Sequence, residues 1–213
     1  MELTTRDQEI LDTLARRVRL LTLDQVQREW WPEQADGRRS ALRRLEQLAA
    51  ADYLSLHDGS SHPEIGLPHP AIDWKPGDPS PNFAAVSYRL QSRWKRQPPA
   101  LTRYAAATTR TVNRFGGWPT RLPKRAELTH DVHLAAVYLH LRRTRPELAG
   151  RWMFEEAYRR LIQVSRREKL PDAVITTELQ VERVIEFGGA YAKRKLAGFH
   201  AFCARKFWPY EIW

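Results

Sequence analysis

Asp172 follows Pro171 at the head of one apolar run, and Glu186 closes a second apolar run fourteen residues later. Lysines stand just beyond, at Lys193 and Lys195. On neighbouring strands, two such carboxylates with a lysine nearby are the set with which a metal-dependent nuclease holds its ion. A hard cation such as Mg²⁺ takes carboxylate oxygens, then activates water and steadies the leaving oxygen. The departure is Gly188, two residues after Glu186, where such a nuclease has lysine. The plainer reading is a hairpin in which Asp172 starts a strand, Glu186 ends one, and Gly188–Gly189 turns into a helix. A carboxylate pair without catalysis is the preferred expectation.

The histidines offer a rival chemistry. His130, His133 and His140 are spaced by three and seven, which places them on one helical face where zinc could bind. No HExxH is present and Cys203 is the only cysteine, so packing or surface roles are expected. Neither Gly116–Gly117 nor Gly188–Gly189 is followed by a Lys-Ser/Thr pair, which excludes a phosphate loop, and no Gly-x-Ser-x-Gly elbow occurs. No metal site or other cofactor is therefore expected, with Mg²⁺ entering only if the carboxylate pair is active.

Charge points to a polyanion. The 213 residues carry a formal net charge of +10, and the stretch 89–125 holds ten Lys/Arg and no acid. Such a concentration neutralises phosphates and releases counterions, so double-stranded DNA is the expected partner. Arg89, Arg93, Lys95, Arg96, Arg103, Arg110 and Arg114 are the candidate contacts in this stretch. No run approaches the ~20 apolar residues of a membrane span. The polar start "MELTTRDQEI" reads as a helix opening, not a signal peptide, and a single cysteine suits a reducing cytoplasm.

The elements that would position these groups follow from capping and periodicity. Thr4 with Asp7, and Thr22 with Gln25, have capping-box spacing. Ile10, Leu11, Leu14 and Val18 make the apolar face of the first helix. Asp36 can cap a third helix whose apolar face is Leu42, Leu45, Leu48 and Ala49, leaving Arg38, Arg39, Arg43 and Arg44 opposite. Three short helices and then a strand outline a winged helix-turn-helix, with Tyr53–Leu56 and Val86–Leu90 as wing strands. The stretch between them holds six prolines and reads as an elongated wing tip. "PALTRYAAATTRTVNRF" reads as a basic connector helix ended by Gly116 and Gly117. From Glu127 the pattern is a helix capped by Thr129 or Asp131, strands near Asp172–Thr177 and Arg183–Phe187, a helix buried through Leu196, Phe199, Phe202 and Cys203, and a final strand "PYEIW". The fold class is α+β: a winged helix over 1–90, a basic connector over 91–125, and a mixed α/β domain over 126–213.

The segments "ALRRLEQLAAADYLSL", "THDVHLAAVYLHLRR", "LPDAVI" and "VERVIEFGG" resemble the replication-relaxation family of bacterial and plasmid proteins. The resemblance implies an N-terminal winged helix and a C-terminal domain similar to the PD-(D/E)xK nuclease fold. It makes Asp172 and Glu186 the nuclease-motif carboxylates, adds Glu155 or Glu156 from a helix, and leaves Lys193 or Lys195 to stand in for the lysine absent at 188. Three functions follow in order of preference. The first is a DNA-binding regulator or replication accessory factor whose degenerate nuclease-like domain serves dimerisation or partner docking. The second is a metal-dependent endonuclease or nickase, and the third an adaptor or antitoxin-like partner.

Overall fold

The computed structural model describes all residues except 95–97, 119–120, 164–168 and 179. The chain divides into two units, 1–63 with 99–139, and 64–98 with 140–213. It is α+β in both.

The first unit opens with α1, Thr5–Arg16, started by a capping box in which Thr4 and Asp7 exchange hydrogen bonds. β1 is the two-residue strand Leu21–Thr22, and Thr22 with Gln25 makes the second capping box, opening α2, Leu23–Trp30. Ile10, Leu11, Leu14 and Val18 are all buried, as their spacing predicts. α3, Gly37–Ala50, buries Ala41, Leu45 and Leu48; Asp36 stands at its start but its side chain makes no capping bond. β2, Leu54–Ser61, follows.

The chain then enters the second unit. The proline-rich stretch is not a wing tip: it carries the strand β3, Ile72–Trp74, and then α4, Phe83–Ser92. Val86–Leu90, expected as a wing strand, is part of α4, because Asn82 caps it and Val86, Ser87 and Leu90 recur on one buried helical face. Together with Ile72 and Trp74, Val86 and Leu90 enter the core of the second unit.

On returning, the chain forms β4, Ala100–Ala107, which is the true antiparallel partner of β2 over eight residue pairs from Leu54↔Ala107 to Ser61↔Ala100. The basic connector helix expected here is a strand followed by a short helix, α5, Thr109–Phe115. Thr108 caps α5 and Gly116, at φ 68°, closes it in the left-handed conformation. The small residues Ala105–Ala107 suit a buried strand as well as a helix, and the pairing to β2 decides between them. The first sheet has the order β1-β4-β2.

The long helix α6 spans Arg125–Thr144, so neither Thr129 nor Asp131 is its cap. Thr129 instead accepts from the His62 backbone at 3.0 Å, and Asp131 binds Arg19 at 2.8 Å.

The second unit continues through α7, Pro146–Gly150, β5, Trp152–Phe154, and α8, Glu155–Leu161. β6, Ala173–Thr177, and β7, Gln180–Glu186, then pair antiparallel. α9, Lys193–Arg205, buries Leu196, Phe199 and Cys203, with Phe202 packed at the edge of the same core. β8, Tyr210–Ile212, runs parallel to β7, and the five-stranded order is β3-β8-β7-β6-β5. A fully buried Glu211 on β8 is held by Arg145 at 2.6 and 2.9 Å, by Arg183 at 3.0 Å and by the Trp213 indole at 2.9 Å. Two guanidiniums and an indole are what make an interior carboxylate tolerable. Among the described residues no helix is long and apolar enough to cross a membrane.

Candidate nucleic-acid interface and carboxylate site

α3 lies on the first unit with its apolar stripe inward, which leaves Arg38, Arg39 and Arg43 exposed. The Arg38 side chain is 61% exposed and pairs with Asp24 at 2.9 Å; that of Arg39 is 84% exposed. A groove of about 600 Å³ separates α3 from the antiparallel β2–β4 pair, bringing Arg38 and Arg39 opposite Arg103 and Leu101. Arg103 is fixed across the strand pair by a two-pronged bond to Asp58, at 2.9 Å on both arms. Leu101 is 82% exposed, a large apolar side chain at the far end of the strand pair. Sequence reading missed it because the residue was assigned to a helix. It also missed Arg6, whose guanidinium lies 4.3 Å over the Trp31 ring and lines a second hollow with Arg43.

The other predicted contacts separate. Arg44 is structural: it forks onto Asp7, at 2.9 and 2.5 Å, and Asp7 is buried. Burial alone would raise the Asp7 carboxyl, but Arg44 and the Thr4 cap together hold it below the ordinary range. Arg110 and Arg114 gather on the Tyr53 ring, 4.4 and 5.8 Å from its centroid, and Arg110 also donates to the Ala51 carbonyl. Arg89 and Arg93 belong to the second unit. Arg93 donates to the Gly189 and Trp213 carbonyls and packs on Phe187; its burial lowers its pKa to about 10. That ties Arg93 to the core of the second unit. Lys95 and Arg96 lie outside the described residues. The basic stretch is therefore divided between the two units. Counted by unit, the second holds 20 Lys/Arg against 12 Asp/Glu and the first 15 against 13, so most of the net charge sits on the second.

In the second unit Asp172 and Glu186 do converge, at the adjoining ends of β6 and β7. Their carboxylates, however, bind the chain itself. Glu186 accepts from the Asp172 backbone N–H at 3.1 Å and from the Tyr191 hydroxyl at 2.6 Å. Asp172 accepts from the Phe187 N–H at 2.8 Å. Burial, with the two carboxylates beside it, pushes the Tyr191 phenol far above its ordinary range, so it stays a donor. Glu155 is placed otherwise: its side chain pairs with Arg159 at 2.7 Å, and only its backbone N–H reaches the Asp172 carbonyl. Among the described residues no three His, Cys, Asp or Glu are grouped to hold a metal ion. His133 is likewise a packing group, fully buried with Nδ1 2.7 Å from the Thr129 carbonyl.

Gly188 is closed to a lysine. A Cβ there would lie 2.7 Å from Ile212 Cγ2, 2.9 Å from Leu90 Cδ1 and 3.3 Å from the Trp213 carbonyl. Of the two substitutes, Lys193 is exposed at the start of α9 and has no ion pair among the described residues. Lys195 comes closer, its ammonium 3.4 Å over the Tyr191 ring. Burial lowers the Lys195 pKa, against the pull of Glu186. The chain matches no family model, no curated protein and no solved structure.

Proposed function

We propose that the protein binds double-stranded DNA through its first unit and that the second unit is a nuclease-like sheet without cleavage chemistry. The carrying observation is the groove between α3 and the β2–β4 pair, with Arg38 and Arg39 on one wall and Arg103 on the other. Within the first unit the elements α1, β1, α2, α3, β2 and β4, with the sheet order β1-β4-β2, support a winged-helix reading. In that arrangement α3 enters the major groove and the β2–β4 pair flanks it. Arg39 and Arg43 are exposed cations of α3 and take phosphates or base edges. The β5-α8-β6-β7-α9-β8 succession, with β7 and β8 parallel, supports the likeness to the PD-(D/E)xK fold and with it the replication-relaxation resemblance.

A mobility shift on duplex DNA tests the reading. Arg39→Ala with Arg43→Ala should weaken binding strongly while the protein stays folded. Unchanged affinity at moderate salt would sink the recognition-helix assignment.

The second reading is a metal-dependent endonuclease, favoured by the convergence of Asp172 and Glu186 beside Lys195. Its test is supercoiled plasmid with Mg²⁺ or Mn²⁺. Cleavage by the wild type, lost in Glu186→Gln with the fold intact, makes the protein an enzyme.

A further inference from the structure

Between the first half of α9 and the segment leading into β6 the second unit holds a cleft of about 520 Å³. That lies inside the range of roughly 300–1,000 Å³ typical of small-molecule sites. Its floor is apolar and partly aromatic, made by Leu170, Pro171, Phe199 and Phe202. Its rim is cationic, with Lys169 on one side and Arg194 and Lys195 on the other. None of the three makes an ion pair among the described residues.

We propose that this cleft binds a phosphomonoester joined to a flat apolar body, the chemistry of a nucleoside monophosphate. A phosphomonoester carries roughly −1.5 to −2 charge at neutral pH and three strong acceptor oxygens, which suits a rim bearing three cations. Burial lowers the Lys195 pKa against the pull of Glu186, and nearby Lys169 adds to the lowering; a dianion between the two lysines offsets that contribution. α9 begins with Lys193, Arg194 and Lys195 and has no acid in its first turn, the reverse of what its dipole favours. That local misfit is relieved by the same anion. The cleft selects the rest of the ligand: the Phe199 and Phe202 rings offer a base an apolar, aromatic wall that inorganic phosphate cannot use. The nucleotide is either free or the 5′-phosphate end of a strand, since the recognised group is the same. The proposal depends on the second unit alone and stands apart from DNA binding by α3.

Calorimetry on the full chain at fixed ionic strength tests it, with adenosine monophosphate, adenosine, inorganic phosphate, and a trinucleotide with and without a 5′-phosphate. The monophosphate should bind at least about tenfold tighter than either inorganic phosphate or adenosine. Lys169→Ala with Arg194→Ala should weaken it by about tenfold or more. Phe202→Leu should weaken the nucleotide and leave inorganic phosphate unchanged. Binding of the phosphorylated trinucleotide in place of the monomer supports the proposal and assigns the strand end as the source. The proposal is overturned if no phosphorylated ligand outbinds inorganic phosphate, or if the cation variant binds like the wild type. Should that variant fail to fold, the ligand series on the wild type decides alone.

Discussion

Gly188→Lys restores, on paper, the lysine of a metal-dependent nuclease, and the structure predicts that it damages the protein instead. The first added atom already meets Ile212 at 2.7 Å and Leu90 at 2.9 Å, closer than van der Waals radii allow. Both neighbours are core residues with 0% and 1% exposure, so neither can swing away. Overpacking of this kind costs about 1–3 kcal/mol, before a charged head is placed against the core. For a chain of this size the loss corresponds to a fall in Tm of about 2–12 °C. Gly188→Ala should produce much of the effect by itself, because the Cβ is the clashing atom. Scanning calorimetry would measure the loss, and a plasmid-nicking assay with Mn²⁺ would show no cleavage gained. A Gly188→Lys protein as stable as the wild type and newly able to nick DNA would refute both the packing argument and the inactive reading of the carboxylate pair.

Arg39→Ala and Arg43→Ala should each lower the slope of log affinity against log salt by about one unit for every phosphate the side chain neutralises, measured by titration at several salt concentrations. Arg44→Ala should act on stability, costing about 3 kcal/mol in urea unfolding, because it strands a buried Asp7 without its partner. Asp7 and Glu127 both have depressed carboxyl pKa values. For Asp7, burial is outweighed by Arg44 and Thr4; Glu127 is drawn from 4.5 to about 2, first by Arg121. Their stabilisation is therefore complete above the ordinary carboxylate range and is lost as pH falls, for Glu127 between about 4.5 and about 2. Urea midpoints taken from pH 6 down to pH 2 would show the fall. Asp172→Ala should leave the Phe187 N–H without its acceptor at a cost of about 1–3 kcal/mol, whereas Asp172→Asn, which keeps an acceptor oxygen, should cost less.

Local signals carried the first 56 residues and the last 45 well. Both capping boxes and the buried face of α1 follow from short-range spacing, and short-range spacing suffices where an element stands on its own caps. β6, β7, α9 and β8 were legible for the same reason, as apolar runs bounded by proline and glycine. The middle failed because its elements are fixed by distant partners. "ALTRYAAA" has no strong alternation, and it is a strand because it pairs with β2, whose residues lie about 45 positions earlier. "VSYRL" alternates like a strand but lies within a helix capped by Asn82. Of the site residues, exposure separated Arg39 and Arg43 from Arg44, yet all three stand on one helix and look alike in sequence. What distinguishes Arg44 is Asp7, 37 residues away.

On the proposed nuclease-like reading, the glycine at 188 and the proline-rich segment between β2 and β4 are linked by packing. Leu90, which fills the space beside Gly188, belongs to α4, and α4 lies in the segment inserted between β2 and β4. On that proposed reading the space would hold a lysine stem, and here a helix packs against it. The carboxylates are affected in parallel. A buried anion at a strand end needs either a cation or donors; the Asp172 and Phe187 N–H groups and the Tyr191 hydroxyl supply the donors, and every oxygen they hold is a coordination position removed from a metal. If α4 is what excludes the lysine, the two positions must be energetically coupled. Leu90→Ala alone should cost about 2–5 kcal/mol as a cavity in the core. In the Gly188→Lys background the same change should cost less, by about 1 kcal/mol or more, because the cavity receives the added side chain. A double-mutant cycle by urea unfolding reads this directly. Strict additivity would mean that α4 and the exclusion of a lysine at 188 are independent, and that Gly188 is held by the strand-to-helix turn alone.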